Sequence, residues 1–301
     1  MIVVLWVVYG YSLAFTEGGH ALARFRERMD PSDGVGLVAG SVLLLLNNLE
    51  AMAANVRHTP SGRDMNRLWD RASLARLGAA DPASLCYEER RVLEVVPLLR
   101  TTECVLDLHS TSRPSRPHLV FRDDLRHAEI AAALGVRLMV TGIHEGGVLG
   151  GGVCPDLDLA PGERGARLGF TLEAGQHTDP RNVEHAWDVA VRLMVALGIW
   201  EEAVAPVAQD FEVYEVIERF VQAPEGSLPF VFADRVAHPA FARRGPHRRL
   251  ESFEPVEADE VLLVRGAEVV RAEAPFTMLM PAPTAGPGED LFYYCQRRHK
   301  H

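Results

Sequence analysis

Strongly apolar runs of strand character alternate with segments of helical periodicity over about the first 200 residues, and this alternation limits the fold more than any other feature of the chain. Val3–Val8 and Leu13–Phe15 read as strand, His20–Met29 as an amphipathic helix and Ser41–Leu46 (SVLLLL) as a buried strand. Glu88–Leu99 is helical apart from its proline, and Cys104–Leu108 (CVLDL) predicts a strand that delivers Asp107 and His109. His118–Phe121, Arg137–Thr141 and Gly169–Glu173 are further strands, and Asn182–Leu197 has the period of a long helix. Strands that are apolar along their whole length and alternate with helices predict a mostly parallel sheet covered on both faces.

After about Val207 the texture changes. Short β-like runs (Phe211–Ile217, Pro229–Phe232, Val261–Val264, Thr277–Met280) are separated by turn-rich stretches, with no long helix among them. This predicts an α/β domain over residues 1–206 and a smaller β-rich domain over 207–301. A chain of 301 residues suits one large core plus a smaller one.

The net charge of −10 argues against a nucleic-acid partner, which needs a basic face. It leaves room for an anionic substrate, because a few arginines in a cleft act against the global sign. The four cysteines form no C-x-x-C pair, which fits reduced, mostly buried thiols in a cytoplasmic protein better than a disulfide or thiolate–metal framework. The opening MIVVLWVVYGYSLAF lacks a basic n-region and a cleavage site and is short for a membrane span, so no membrane partner is expected and a buried strand is the better reading. An irregular translation start stays open, as does a homo-oligomer.

Three local patterns carry chemistry. In Asp107-Leu108-His109-Ser110-Thr111 a histidine stands at the carboxyl end of an apolar strand, where α/β sheets place their ligands. Asp107 falls nominally on the same face, although spacing does not decide whether the two touch. In the second pattern, Asn48-Leu49-Glu50-Ala51 precedes Arg57 and Asp64-Met65-Asn66-Arg67. Arginines with an asparagine on a loop suit a carboxylate, since the guanidinium fork binds it in a bidentate way. The third is Thr171-Leu172-Glu173-Ala174-Gly175, an apolar strand that ends in a carboxylate and a glycine turn. Taken singly, the first reads rather as an ordinary strand-end histidine, the second equally as a surface salt-bridge loop, and the third has the alternative of a strand-terminal glutamate.

Together, and in this order, the patterns resemble the succinylglutamate desuccinylase/aspartoacylase family, a branch of the zinc carboxypeptidase-like hydrolases. The D-L-H segment of the family is similar to Asp107–His109, its N-P-x-A segment to Asn48–Ala51, its arginine and D-L-N-R to Arg57 and Asp64–Arg67, and its E-x-G to Glu173–Gly175. Tyr293 and Tyr294 resemble a C-terminal tyrosine pair. The resemblance implies a zinc-peptidase-like α/β/α sandwich with a mostly parallel mixed sheet, followed by a β-rich domain that narrows the cleft. It implies a metal-dependent amidohydrolase that removes a succinyl- or acetyl-type group from a small anionic N-acyl amino acid. Zinc would be held by two histidines and a glutamate, His109 being the third ligand. Glu173 would be the general base toward the zinc-bound water, while Arg57, Asn66 and Arg67 would hold the substrate carboxylate and stabilise the oxyanion. Arg164 or Arg167 would be a further substrate arginine.

The resemblance breaks at the first metal motif. The family supplies two ligands from H-G-[ND]-E, and the sequence here reads Leu13-Ala14-Phe15-Thr16-Glu17-Gly18-Gly19-His20. In one alignment Glu17 and His20 exchange ligand types and keep the spacing, which preserves an open zinc site. In the other, Gly18 and Gly19 match the small residues after the motif, the ligand positions become Leu13 and Thr16, and the chain is a catalytically silent binder of small carboxylates. His144-Glu145-Gly146-Gly147 reads as a loop near the cleft; the glycine run there fails the phosphate-loop pattern, and no G-x-S-x-G serine-hydrolase motif exists.

Overall fold

The computed structural model describes residues 2–7, 25–29, 36–54, 56–143, 167–207, 210–222, 230–232, 251–282, 285–286 and 288–298. In chain order its strands are β1 (Ile2–Val7), β2 (Gly36–Leu37), β3 (Ser41–Leu46), β4 (Cys104–Thr111), β5 (His118–Phe121), β6 (Leu138–Thr141), β7 (Leu168–Gln176), β8 (Trp200–Glu201), β9 (Glu212–Val221), β10 (Phe230–Phe232), β11 (Glu254–Val256), β12 (Val261–Arg265), β13 (Glu268–Arg271), β14 (Phe276–Leu279) and β15 (Asp290–Arg298). The helices used below are α1 (Leu49–Ala54), α2 (Arg71–Ala79), α3 (Tyr87–Arg100), α4 (Leu125–Ala133) and α5 (Asn182–Ala196).

One ten-stranded mixed sheet runs in the order β11-β14-β15-β9-β6-β5-β7-β4-β1-β3. Strands β3, β1, β4 and β7 are mutually parallel. The direction reverses once between β7 and β5, and β6 and β9 then follow β5. Beyond β9 the pairing is antiparallel through β15, β14 and β11. Strand β1, the apolar opening of the chain, is bonded on both sides, by β3 and β4. The expected run Leu13–Phe15 and the start of the expected helix His20–Met29 lie outside the described residues; residues 25–28 are helical.

Helices cover both faces because the strands are apolar on both. On one face Leu106, Leu108, Phe170 and Leu172 pack against Ala131, Ala190, Leu193 and Met194 of α4 and α5 and the helix-end residue Leu134. On the other, Val105 and Leu45 pack against Leu77 of α2, the Val92, Val95 and Leu99 stripe of α3, and Met65 and Trp69 from the connection before α2. Helix α3 contains Pro97 within its last turn and a half and begins with a reciprocal cap, in which Glu89 accepts from the Cys86 amide at 3.1 Å. This gives an α/β/α sandwich followed by a β-rich C-terminal region, which adds the small sheet β10-β12-β13. Cys86, Cys104 and Cys295 are free, the last two buried; Cys154 lies outside the described residues. Among the described residues no helix is long and apolar enough to cross a membrane.

Leu106, fully buried at the centre of β4, measures how much the fold leans on this strand. Leu106→Ala is expected to lose about 2–5 kcal/mol of unfolding free energy with an unchanged denaturant slope. Urea unfolding that shows a loss below about 1 kcal/mol contradicts a central, close-packed β4.

Candidate active site

Parallel pairing of β4 and β7 places the Cα of His109 opposite that of Glu173. Laterally paired residues share a face of a sheet, and the two side chains approach, His109 Nδ1 standing 3.7 Å from Glu173 Oε1. On its other side the imidazole points Nε2 at Asp107 Oδ2, 3.0 Å away, and at Asn66 Nδ2, 3.3 Å away. Asp107 is therefore the partner that orients His109, a question its spacing left open. The strand runs to Thr111, past the expected end at Leu108, with an irregularity in register between His109 and Thr111.

The E-x-G pattern has a local cause. Gly175 adopts φ +127°, and a Cβ there would lie 2.8 Å from Asn182 Oδ1. The Asn182 amide donates to the Gln176 carbonyl at 2.6 Å, fixing the turn from β7 into α5. Glu173 is thus held on a rigid strand just before a turn that only glycine suits.

Charge and burial set the protonation balance. Burial pushes the Glu173 carboxyl above its usual range, with Asp107 adding to the rise and His109 and Arg57 opposing it. For His109 burial disfavours the imidazolium, but Asp107 and Glu173 outweigh it and raise the pKa. Glu173 Oε2 is buried with no hydrogen-bond partner among the described residues. A free, shielded carboxylate oxygen beside an oriented imidazole is the arrangement of a proton acceptor.

Asp64 explains the arginine and D-x-N-R pattern. One of its oxygens caps the short turn Met65–Arg67 by accepting from the Asn66 amide at 2.9 Å. The other accepts from Arg57 Nε at 3.1 Å and Nη2 at 2.7 Å. Arg57, Asn66 and His109 are thereby brought together. Arg67 turns toward the C-terminal region: Nη1 donates to the Asn66 carbonyl at 2.8 Å and Nη2 to Asp290 Oδ2 at 2.7 Å. Asp290 also accepts from Tyr293 Oη at 2.6 Å and pairs with Arg219. Asn48 is buried and spent internally, capping the Ala51 amide at 3.0 Å and donating to Glu88 at 3.2 Å.

Arg167 is not brought to the site. It precedes β7 at the amino end, where its charge acts on Cys104, the first residue of β4. Six residues of extended strand separate it from Glu173, about 20 Å. Glu17, His20, His144 and Arg164 lie outside the described residues. Among the described residues no group of three or more His, Cys, Asp or Glu side chains is arranged to hold a metal ion.

His177 is a neighbour that the sequence patterns did not single out. Its Nδ1 lies 2.8 Å from Ser110 Oγ, and its amide donates to the Thr111 carbonyl at 2.8 Å. Burial, Arg57 and His109 push its pKa down to about 4, so it is neutral at physiological pH. Its signal was its position, four residues beyond Glu173 at the same strand end.

Residues 16–192 match the family described as Succinylglutamate desuccinylase/Aspartoacylase catalytic domain, more than half of the chain. The chain belongs to this family of acyl-removing hydrolases. No curated protein sequence matches it. Among solved structures it is similar to a succinylglutamate desuccinylase from Vibrio cholerae, with TM-score 0.68, 16% identity, and coverage of 100% of this chain and 83% of that one. It is similar to a succinylglutamate desuccinylase/aspartoacylase from Rhodobacter sphaeroides, with TM-score 0.67, 16% identity, and coverage of 99% and 86%. It is also similar to murine aminoacylase 3, with TM-score 0.63, 18% identity, and coverage of 99% and 95%. At these identities the likeness shows the shared fold.

The half-buried Asp64 is a test of the loop. Burial pushes its carboxyl up, but Arg57, Arg67 and its hydrogen bonds outweigh this and bring the pKa from 3.8 down to about 2. A depressed folded-state pKa contributes stability above pH ~4 that is lost as pH falls toward ~2, on the order of 2 kcal/mol. Asp64→Asn is expected to be less stable at pH 7 by about that amount and to show a shallower acid loss between pH ~4 and ~2 in urea unfolding. Parallel acid limbs for the two proteins contradict the ion pair.

Proposed function

We propose that this chain is a zinc-dependent amidohydrolase that removes a succinyl- or acetyl-type acyl group from a small anionic N-acyl amino acid. The observation that carries the reading is His109, whose Nε2 faces Asp107 at 3.0 Å while Nδ1 faces Glu173 at 3.7 Å. A carboxylate behind a histidine fixes its tautomer and makes the other ring nitrogen a better metal ligand. The names of the similar structures, desuccinylase and aminoacylase, support acyl chemistry on amino acids.

His109 fits the role of one ligand, and Glu17 and His20 would complete the set. A zinc ion bound there would polarise the scissile carbonyl and lower the pKa of the attacking water. Glu173 would take a proton from the attacking water and return it to the leaving amine, a task suited to a carboxylate with a raised pKa and an unshared oxygen. Arg57, with its side chain 46% exposed beside Asp64, binds the substrate carboxylate. Asn66 Oδ1 is buried with no hydrogen-bond partner among the described residues, which leaves this side chain available for a substrate donor. Arg67, anchored by Asp290, contributes positive potential at the same end of the site.

A second reading is favoured by one observation, the absence of H-G-[ND]-E from the sequence. In that reading the chain binds a small carboxylate through Arg57 and Arg67 without turnover. Metal content separates the two. Protein purified without chelator and supplied with zinc is expected to hold about one zinc per chain, lost in His109→Ala and in His20→Ala. Protein without zinc supports the silent reading.

Glu173→Gln is expected to abolish hydrolysis of N-acyl amino acids while zinc content stays the same. Loss of zinc in that variant makes Glu173 a ligand and removes it as the base. Arg57→Ala is expected to raise KM for anionic substrates by roughly 10- to 100-fold, the cost of one charged hydrogen-bonded contact; an unchanged KM takes Arg57 out of the substrate site.

A further inference from the structure

Glu88 is a carboxylate with no exposed surface, in the first turn of α3, and the chemistry above makes no use of it. Burying a charge is costly unless it is hydrogen-bonded, so its partners show what it serves. Oε1 accepts from the Thr59 amide at 2.6 Å and from Asn48 Nδ2 at 3.2 Å, and Oε2 accepts from Thr59 Oγ1 at 3.1 Å. The α3 amino terminus adds a favourable dipole. Burial pushes the Glu88 pKa up, and the hydrogen bonds from Thr59, the backbone and Asn48 outweigh it, so the group stays ionised.

Thr59 sits two residues after Arg57, and the chain turns sharply there, with the Gly62 amide donating to the Thr59 carbonyl at 2.8 Å. Gly62 closes onto the same carboxylate: a Cβ on Gly62 would fall 2.0 Å from Glu88 Oε2 and 2.5 Å from Thr59 Oγ1. The loop from Arg57 to Asp64 is therefore wound around Glu88 at its middle and pinned at its two ends by the Arg57–Asp64 pair. Through Asn48 the same carboxylate ties in the start of α1.

We propose that Glu88 is a positioning residue whose carboxylate sets the Arg57 loop and so places the Arg57 guanidinium for the substrate carboxylate. This rests on the substrate-binding role assigned to Arg57 under the proposed function. Glu88 itself touches no substrate. Its effect reaches the site through Thr59 and the backbone of the loop, and the nearly isosteric Gln satisfies the same partners, since its oxygen can accept from Thr59 N and Asn48 while its amide donates to Thr59 Oγ1.

The test compares the full-length chain with Glu88→Ala, Glu88→Gln, Gly62→Ala and Arg57→Ala. Val92→Ala, a change in the buried stripe of the same helix, serves as the control for general destabilisation. Two readouts are taken: hydrogen exchange of the Thr59 amide, and binding of succinate by calorimetry. Glu88→Ala is expected to speed Thr59 exchange on the order of 10- to 100-fold, the loss of a charged hydrogen bond, and to weaken succinate as much as Arg57→Ala does. Gly62→Ala reproduces this pattern, Glu88→Gln restores both readouts to near the parent, and Val92→Ala moves neither.

Thr59 exchange that is the same in Glu88→Ala and Val92→Ala overturns the proposal. A released loop with unchanged succinate affinity also overturns it, because Glu88 would then hold the loop without placing Arg57. If the parent chain itself fails to bind succinate, the substrate class of the proposed function falls, while Thr59 exchange still judges the Glu88 clamp.

Discussion

The pairing of β4 with β7 is the constraint on which the site depends. Its parallel register sets His109 against Glu173, and no local preference of either strand fixes that register. What fixes it is burial on both faces: shifting β7 by one residue would turn Glu173 into the α4–α5 core and Leu172 toward the site. The apolar residues on alternate positions of β4 and β7, Leu106 and Leu108 with Phe170 and Leu172, therefore select the one register that brings the two chemical groups together. Core packing and catalytic geometry are the same constraint seen from opposite faces of the sheet.

The surrounding carboxylates then do different work according to what surrounds them. Asp107 orients the imidazole, Asp64 caps a turn and takes a guanidinium, Glu88 gathers a loop, and Asp290 holds Arg67 and Arg219. For Asp64 and Glu88 these partners stabilise the ionised form. Glu173 differs from Asp64 and Glu88 in the direction of its pKa, which burial and Asp107 move upward while theirs are held down. Under the function proposed above, that upward shift suits a proton acceptor, since a carboxylate held strongly ionised is a weaker base. In a chain of net charge −10, Asp64 and Asp290 are each paired with arginines, Arg57 and Arg67 for the first and Arg67 and Arg219 for the second.

Much of this was legible in the sequence, and the reasons for the rest are specific. Ser41–Leu46 and His118–Phe121 appear with the boundaries their apolar runs suggest, because those strands are bounded by polar residues that end the pattern. Helix α2 (RASLARLGA) went unread because it buries only Leu77; its start is signalled by the Asp70 cap, which accepts from the Ser73 amide. Strand β15 went unread although it carries the tyrosine pair, since its terminal Gln296, Arg297 and Arg298 are exposed and break the alternation. The Arg67–Asp290 contact spans 223 residues of sequence, a separation over which no pattern operates. Glu88 was read only as a helix residue, because charged residues are rarely fully buried, and the loop that buries it is defined by Thr59 and Gly62, neither of which forms part of a motif.

The described parts of the site are held by contacts within the protein. His109 rests on Asp107 and Asn66, the Arg57 loop on Asp64 and Glu88, Arg67 on Asp290, and the Glu173 turn on Gly175 and Asn182. None of these contacts involves residues 13–20. The side chains in these contacts are held by partners among the described residues. Under the function proposed above, Glu17 and His20 then carry the difference between a hydrolase and a silent carboxylate binder, because the other groups that the proposal uses are already held by their neighbours.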